Sequence, residues 1–429
     1  MQLRYAARAA LALLLVLAFP ATTQSPPLPA ARAVARNNAE DFDAMWRAID
    51  ERYAYFGQRR GAWKQARDAW RPRAERASSR AELVAAIEGA LDQLRDDHVW
   101  LSEHTARSPR RIPAEIDIWP VWKGTTATVE SVRTFADADV AGVRPGDVIA
   151  RIDGLPVERL VRDLAAVAGV APPSVERDWA LRRALSGPRS GTLQLEVRAP
   201  AGTRAVTIEH REATPANGPL LIARRMGEGR DLGYIRIKAS LSDPRIPGQF
   251  EGALDYLKDT RALIVDLREA GGAQASAQVE AVLSRFAPAT LPWRQREPRG
   301  GERTLDTVDP RSPRYAAPVV VLVDRWTSGD GEALAAGLQA VAKARLVGTA
   351  MAGLRGEIGT VRLAHSQLVV HFPVERAFHA DGTPRELVMP AVAVDLAAPQ
   401  GGPGDPILYQ ALKLLDPASS APAGRSAPR

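Results

Sequence analysis

Pro318–Leu338 reads PVVVLVDRWTSGDGEALAAGL. An apolar run too short for a helix, a turn rich in Gly and acids, and an unbroken Ala/Leu stretch make the strand–turn–helix unit of an α/β sheet. The same order occurs upstream: strand GYIRI (233–237), helix FEGALDYLKDT (250–260), strand ALIVDLR (262–268), turn EAGGA (269–273) and helix SAQVEAVLSRF (276–286). A last strand, ARLVGT (344–349), follows the Ala/Leu helix. Apolar strands alternating with helices predict a mainly parallel sheet covered on both faces. Ligands in such sheets bind beyond the carboxyl ends of the strands, where both Gly-rich turns fall. Ser328 then has two readings, a nucleophile displayed on a strand-to-helix turn or the N-cap of an ordinary helix.

The chain of 429 residues with 45% apolar composition is too long for one small core, so the expected fold class is α/β multidomain. Its 57 Lys+Arg against 50 Asp+Glu are interspersed rather than gathered in one tract, which argues against nucleic acid as a partner. Met1 is followed by Arg4 and Arg8, the apolar run AALALLLVLAFPA (9–21) and a polar, Pro-rich stretch. This is the pattern of a secretory signal near residues 1–24, with a core shorter than the roughly 20 residues needed to span a bilayer. A periplasmic or secreted protein with no transmembrane span in its mature chain is expected. The absence of Cys excludes a disulfide framework and thiol chemistry.

Five regions are expected: 1–33 signal and Pro-rich linker, 34–108 helical, 109–213 short β-rich runs, 214–416 the α/β core, and 417–429 a disordered Pro/Ser/Ala-rich tail. The helical region shows Phe42, Met45, Trp46, Ile49 and Tyr53 at three- and four-residue steps, and then SRAELVAAIEGALDQL behind a Ser/Glu capping signal. The β-rich region contains TTATVESV, DVIARIDG and GTLQLEVRAP, with one helix-like piece at VERLVRDLAAVA. Within it ADVAGVRPGDVIARIDGLPV (138–157) resembles the central stretch of a PDZ domain, Gly142, Pro145, Gly146 and Asp147 forming the tight turn. Such a domain binds a chain terminus as an added strand; no clear carboxylate loop precedes this copy, so peptide capture and a purely structural role both stay open.

A hydroxyl nucleophile needs a base, a group to orient that base, and donors for the oxyanion. Position alone does not choose among His98, His104, His210, His365, His371 and His379. However, LRDDHVWL, GYIRI, ALIVDLREAGG, VLVDRWTSGDGEALAAGL, RLVGTAMAGLRGE and DGTPRELVMPAVAVD occur in the order of the motifs of the C-terminal processing, or tail-specific, serine peptidases. More narrowly the chain resembles the tricorn-core-like branch of that family, over about residues 38–416. The resemblance implies a ClpP/crotonase-like core, a polypeptide substrate met unfolded or by its C-terminus, and no metal or organic cofactor. Retinoid-binding repeats in the same branch imply that the scaffold also serves as a binding protein, the alternative reading.

The family has two catalytic layouts. A Ser/Lys dyad would need Lys in the turn MAGLRG (351–356), where this chain has Arg355, which does not deprotonate near neutral pH; Lys343 lies in the helix after Ser328. The other layout, Ser/His/Glu, maps onto Ser328 as nucleophile, His98 as base and Glu386 as the orienting acid, with N–H groups of Gly271 or Gly272 and of Gly329 holding the oxyanion. One feature departs from the pattern. Relatives place the nucleophile three residues before the acid that opens the helix; counted from Glu332 that position is Gly329, and Ser328 stands one earlier. Either the turn works with one extra residue, or the nucleophile is lost and the fold kept, since about 1 Å of misplacement can cost 10²-fold.

Overall fold

The computed structural model describes residues 29–165, 174–210, 218–398 and 404–415, so the leader-like segment and the tail lie outside the described residues. Its central sheet has the spatial order Val392–Ala393, Arg345–Gly348, Val319–Val323, Ala262–Asp266, Leu232–Ile237, Leu221–Met226. The first five strands run parallel and the sixth is antiparallel. Alternate side chains leave opposite faces. Ile235, Leu263, Val265, Val319, Val321 and Leu346 pack under the helices Ile246–Tyr256, Ser276–Ser284 and Asp330–Ala342. Tyr234, Ile264, Val320, Leu322 and Val347 meet the helix Pro406–Leu415 on the other face. Burial on both faces explains the continuous apolar runs of the central strands Val319–Val323 and Ala262–Asp266, the latter closed by one buried Asp.

A second, antiparallel sheet was not legible in the sequence. Val369–His379 is its spine, pairing with Glu357–Arg362, with Trp100–Leu101 and with Leu291–Pro298, which in turn pairs with Thr304–Val308. A strand such as LPWRQREP is half-buried and charged, so it carries neither an apolar run nor a clean alternation.

The helices Pro29–Arg52, Arg60–Arg76 and Arg80–Leu91 lie on this sheet. Ser79 caps the third, its Oγ accepting from Glu82 N–H at 3.2 Å, and Glu82 returns to Ser78 N–H at 2.7 Å. Phe42, Ile49, Trp63 and Ile87 share one core with Val370 and Phe372, so the helices and the sheet form a single packed body.

The third unit is an antiparallel sheet of Ile118–Lys123, Thr126–Val132, Val148–Ile152, Gly191–Ala199 and Gly202–His210, packed with helices Val157–Ala165 and Ser174–Ser186. The sequence pattern marked only the first of those helices; the second, SVERDWALRRALS, carries five charged residues among its 13 and no sustained apolar run. It is also the side of the unit that faces the helical unit: Arg182 binds Asp97 at 2.8 Å, Glu176 binds Arg95 at 2.7 Å, and Arg183 meets Asp92. Across the sheet, Glu130 pairs with Arg325, and Trp326 Nε1–H donates to Ile116 O at 2.9 Å.

Candidate active site

Val319–Val323 and Ala262–Asp266 are neighbours in the central sheet, so the turns that follow them meet. Buried Asp324 shapes the second turn: its Oδ1 accepts from Trp326 N–H at 2.9 Å and Thr327 N–H at 3.0 Å, and burial pushes its carboxyl up to about 6. Ser328 N–H donates to Ala270 O at 3.0 Å and Asp330 N–H to Gly272 O at 3.2 Å, which staples the two turns together. Two glycines are demanded by this closeness. A Cβ on Gly271 would stand 2.9 Å from Ser328 Oγ, and one on Gly329, at φ +56°, would stand 2.3 Å from Gly272 O.

Ser328 is 9% exposed and lines a cleft of about 440 Å³ that is bounded by all three units. Its Oγ caps no helix: Gly329 is the N-cap residue, and its own N–H donates to Glu332 Oε2. Among the described residues Ser328 Oγ has no hydrogen-bond partner, and it lies against Gly271.

His98 enters the same cleft from the loop after the third helix. Asp96 Oδ1 accepts His98 N–H at 2.9 Å, and Tyr53 Oη–H donates to Asp96 Oδ2 at 2.6 Å, so the loop is anchored in the helical core. His98 Nδ1 is 2.6 Å from Arg355 O. A carbonyl only accepts, so the proton sits on Nδ1 and Nε2 is bare. Burial holds the imidazole down to about 4, leaving it neutral at ordinary pH. The Nε2 atom is 3.9 Å from the point a Cβ on Gly329 would occupy. Thus His98 faces position 329, while the hydroxyl of Ser328 sits one residue aside, with no direct hydrogen bond between them among the described residues.

Two expected roles are placed differently. Glu386, in the turn Arg385–Leu387, makes no hydrogen bond to His98; its Oε2 is buried without a partner among the described residues, and its charge helps to hold the Tyr55 hydroxyl above its ordinary range, behind burial. The carbonyl of Arg355 orients the imidazole instead. The N–H of Gly329 is not free for an oxyanion, because Glu332 Oε2 takes it at 2.9 Å. The N–H groups of Gly271 and Gly272 have no partner among the described residues and line the cleft. Lys343 lies at the far end of its helix, its Nζ donating to Ala340 O at 3.3 Å.

Glu332 is the structural keystone of the turn. Its Oε1 accepts from Gly353 N–H at 2.8 Å and its Oε2 also from Leu354 N–H at 3.2 Å, joining the turn to the loop that carries Arg355. Burial pushes its carboxyl up to about 7 from an ordinary 4.5. A raised acid binds more protons folded than unfolded, so its contribution is complete below about pH 4.5 and declines as pH rises to about 7. His98 runs the other way, its contribution being lost as pH falls from 6.5 towards about 4. Glu332→Ala leaves three buried N–H groups unmet and is expected to cost roughly 3 kcal/mol or more. The difference in urea stability between wild type and variant should narrow from pH 4.5 to 7.

Gly142, Pro145, Gly146 and Asp147 do not line the cleft. They build a turn in which Asp147 Oδ2 accepts from Arg144 N–H at 3.0 Å and Arg204 Nη2 at 2.6 Å. The edge strand Ile118–Lys123 is covered by the helix Ser174–Ser186, Trp122 Nε1–H donating to Arg177 O at 3.3 Å.

Residues 231–394 match Peptidase family S41, and residues 35–91 match the tricorn protease C1 domain. The chain is 25% identical over 329 residues to tricorn protease homolog 2 of Streptomyces coelicolor, covering 72% of this chain and 26% of the relative. It is 28% identical over 336 residues to the chloroplastic C-terminal processing peptidase of Tetradesmus obliquus, covering 75% of this chain and 69% of the relative. The chain thus spans about a quarter of the first of these relatives. In fold it is similar to the photosystem II D1 C-terminal processing protease, with a TM-score of 0.52 at 21% identity over 84% of this chain and 94% of that one. Mature CPAF gives a TM-score of 0.56 at 16% identity over 84% and 93%.

Proposed function

We propose that this chain, which belongs to the S41 family of serine peptidases, hydrolyses peptide bonds of unfolded or C-terminally presented polypeptides lying in the cleft between its three units. One observation carries the reading: Ser328 Oγ, a bare imidazole nitrogen and two unclaimed N–H groups line one cleft. The scissile carbonyl oxygen lies towards the N–H groups of Gly271 and Gly272. Ser328 Oγ attacks the carbonyl carbon, its proton passing through one bridging water to His98 Nε2 and then to the leaving amine. Water cleaves the acyl-serine, with His98 again as base. Arg355 positions His98 through its backbone, and Glu386 supports the loop from behind. The PDZ-like unit serves as a wall of the cleft. The leader-like segment at residues 9–21 supports export, and no helix among the described residues is long and apolar enough to cross a membrane.

Because His98 stays neutral down to about pH 4, the acid limb of kcat/KM is expected near 4 rather than near 6.5. A limb at 6.5, measured on a quenched-fluorescence polypeptide, would place the base in open solvent.

A second reading is favoured by the direction of position 329. His98 points at a residue without a side chain, and the hydroxyl is one residue away. On that reading the cleft binds a polypeptide without cutting it. Labelling by a fluorophosphonate separates the two, and labelling that survives Ser328→Ala sinks the assignment of the nucleophile.

A further inference from the structure

The cleft is lined by as many carboxylates as Lys and Arg side chains, and most of them are paired. Its carboxylates are all engaged: Glu88 with His104 and Ser108, Asp92 with Arg183, Asp96 with Tyr53, Asp97 with Arg182, and Glu269 with Arg236. Of its cations, Arg110 and Arg111 are likewise held, by Asp117 and Glu115. Two are left over. Arg133 follows the strand Thr126–Val132 and lies over the ring of Trp326, 5.3 Å from its centroid, two residues ahead of Ser328. Its Nη2 donates to Pro113 O at 3.2 Å, its Nε is buried without a partner, and no carboxylate pairs with it among the described residues. Lys238 is exposed on the opposite wall's strand end, its amine unpaired among the described residues.

A guanidinium lying over an indole in a partly dry cleft, with a carbonyl fixing one nitrogen and Glu269, Asp117 and Asp324 acting on it only through space, has no directly bonded anion. We propose that Arg133, assisted by Lys238, is a specificity determinant that takes a carboxylate of the bound polypeptide. The inference rests on the cleft being the polypeptide site. The carboxylate has two sources, the chain's C-terminal α-carboxylate or an Asp or Glu side chain near the scissile bond, and both offer the same bidentate partner.

The experiment uses the full chain carrying Ser328→Ala, so that nothing is cut, and three fluorescent decapeptides of one apolar sequence: a free acid, a C-terminal amide, and an amide with one internal Glu. Fluorescence anisotropy is expected to show at least one carboxylate-bearing peptide binding roughly tenfold more tightly than the plain amide, as charge-assisted bonds outweigh neutral ones. Which of the two binds tightly identifies the source. Arg133→Gln should remove the preference, Arg133→Lys should keep part of it, and Lys238→Ser, at an exposed site that does not bear on folding, should reduce it. Equal binding of all three peptides, or a preference that persists in Arg133→Gln, overturns the carboxylate assignment alone. Failure of every peptide to bind overturns this assignment together with the polypeptide reading of the cleft.

Discussion

Ser328→Ala and His98→Ala each lower hydrolysis of an unfolded polypeptide by roughly 10⁴-fold or more, and Ser328→Ala also loses fluorophosphonate labelling. The size follows from the interdependence of nucleophile and base, since either group without the other leaves only binding and the oxyanion donors at work. The serine exchange is well suited to test chemistry apart from folding. Ser328 Oγ makes no hydrogen bond among the described residues, so its removal should change urea stability by less than about 0.5 kcal/mol. His98→Ala does cost stability, because the Arg355 carbonyl loses its donor; comparing the two variants at equal folded fraction isolates the catalytic loss. An active Ser328→Ala would remove this hydroxyl from the mechanism.

Gly329→Ser has the second large effect, and its direction is decided by backbone geometry. The residue lies at φ +56°, where a side chain is strained by roughly 1–3 kcal/mol, and a Cβ would meet Gly272 O at 2.3 Å. Moving that carbonyl breaks the staple from Asp330 N–H and shifts Gly271 and Gly272, the oxyanion donors. The expected result is a loss of roughly 3 kcal/mol in stability together with a fall in kcat. The opposite outcome is equally informative: activity gained by Gly329→Ser and kept when Ser328→Ala is added would show position 329 to be where a nucleophile belongs. The native chain would then bind polypeptide rather than cleave it.

The parallel sheet and its helices were readable because doubly covered strands leave continuous apolar runs such as PVVVLV and ALIVD, with Gly-rich turns between. The antiparallel sheet was not, because Leu291–Pro298 and Glu357–Arg362 both pair with the strand Val369–His379 while keeping charged, partly exposed side chains. At the site, the turn bearing Ser328 and the loop bearing His98 were marked by motif. The orienting partner of His98 was not, since a main-chain carbonyl leaves no trace in residue type and Arg355 drew notice only as a side chain that fails as a base. Glu332 was seen as the acid opening a helix; that it also ties in Gly353 and Leu354 depends on contacts across 21 and 22 residues of chain. Arg133 carried no signal among so many arginines, because what distinguishes it is that no carboxylate lies within ion-pair distance among the described residues.

Asp97, which anchors Arg182 of the antiparallel unit, is the residue immediately before His98. The imidazole is thereby mechanically tethered to a part of the protein that contributes no hydroxyl and no oxyanion donor. The placement of the base therefore depends on how that unit is seated, through an ion pair one residue away from it.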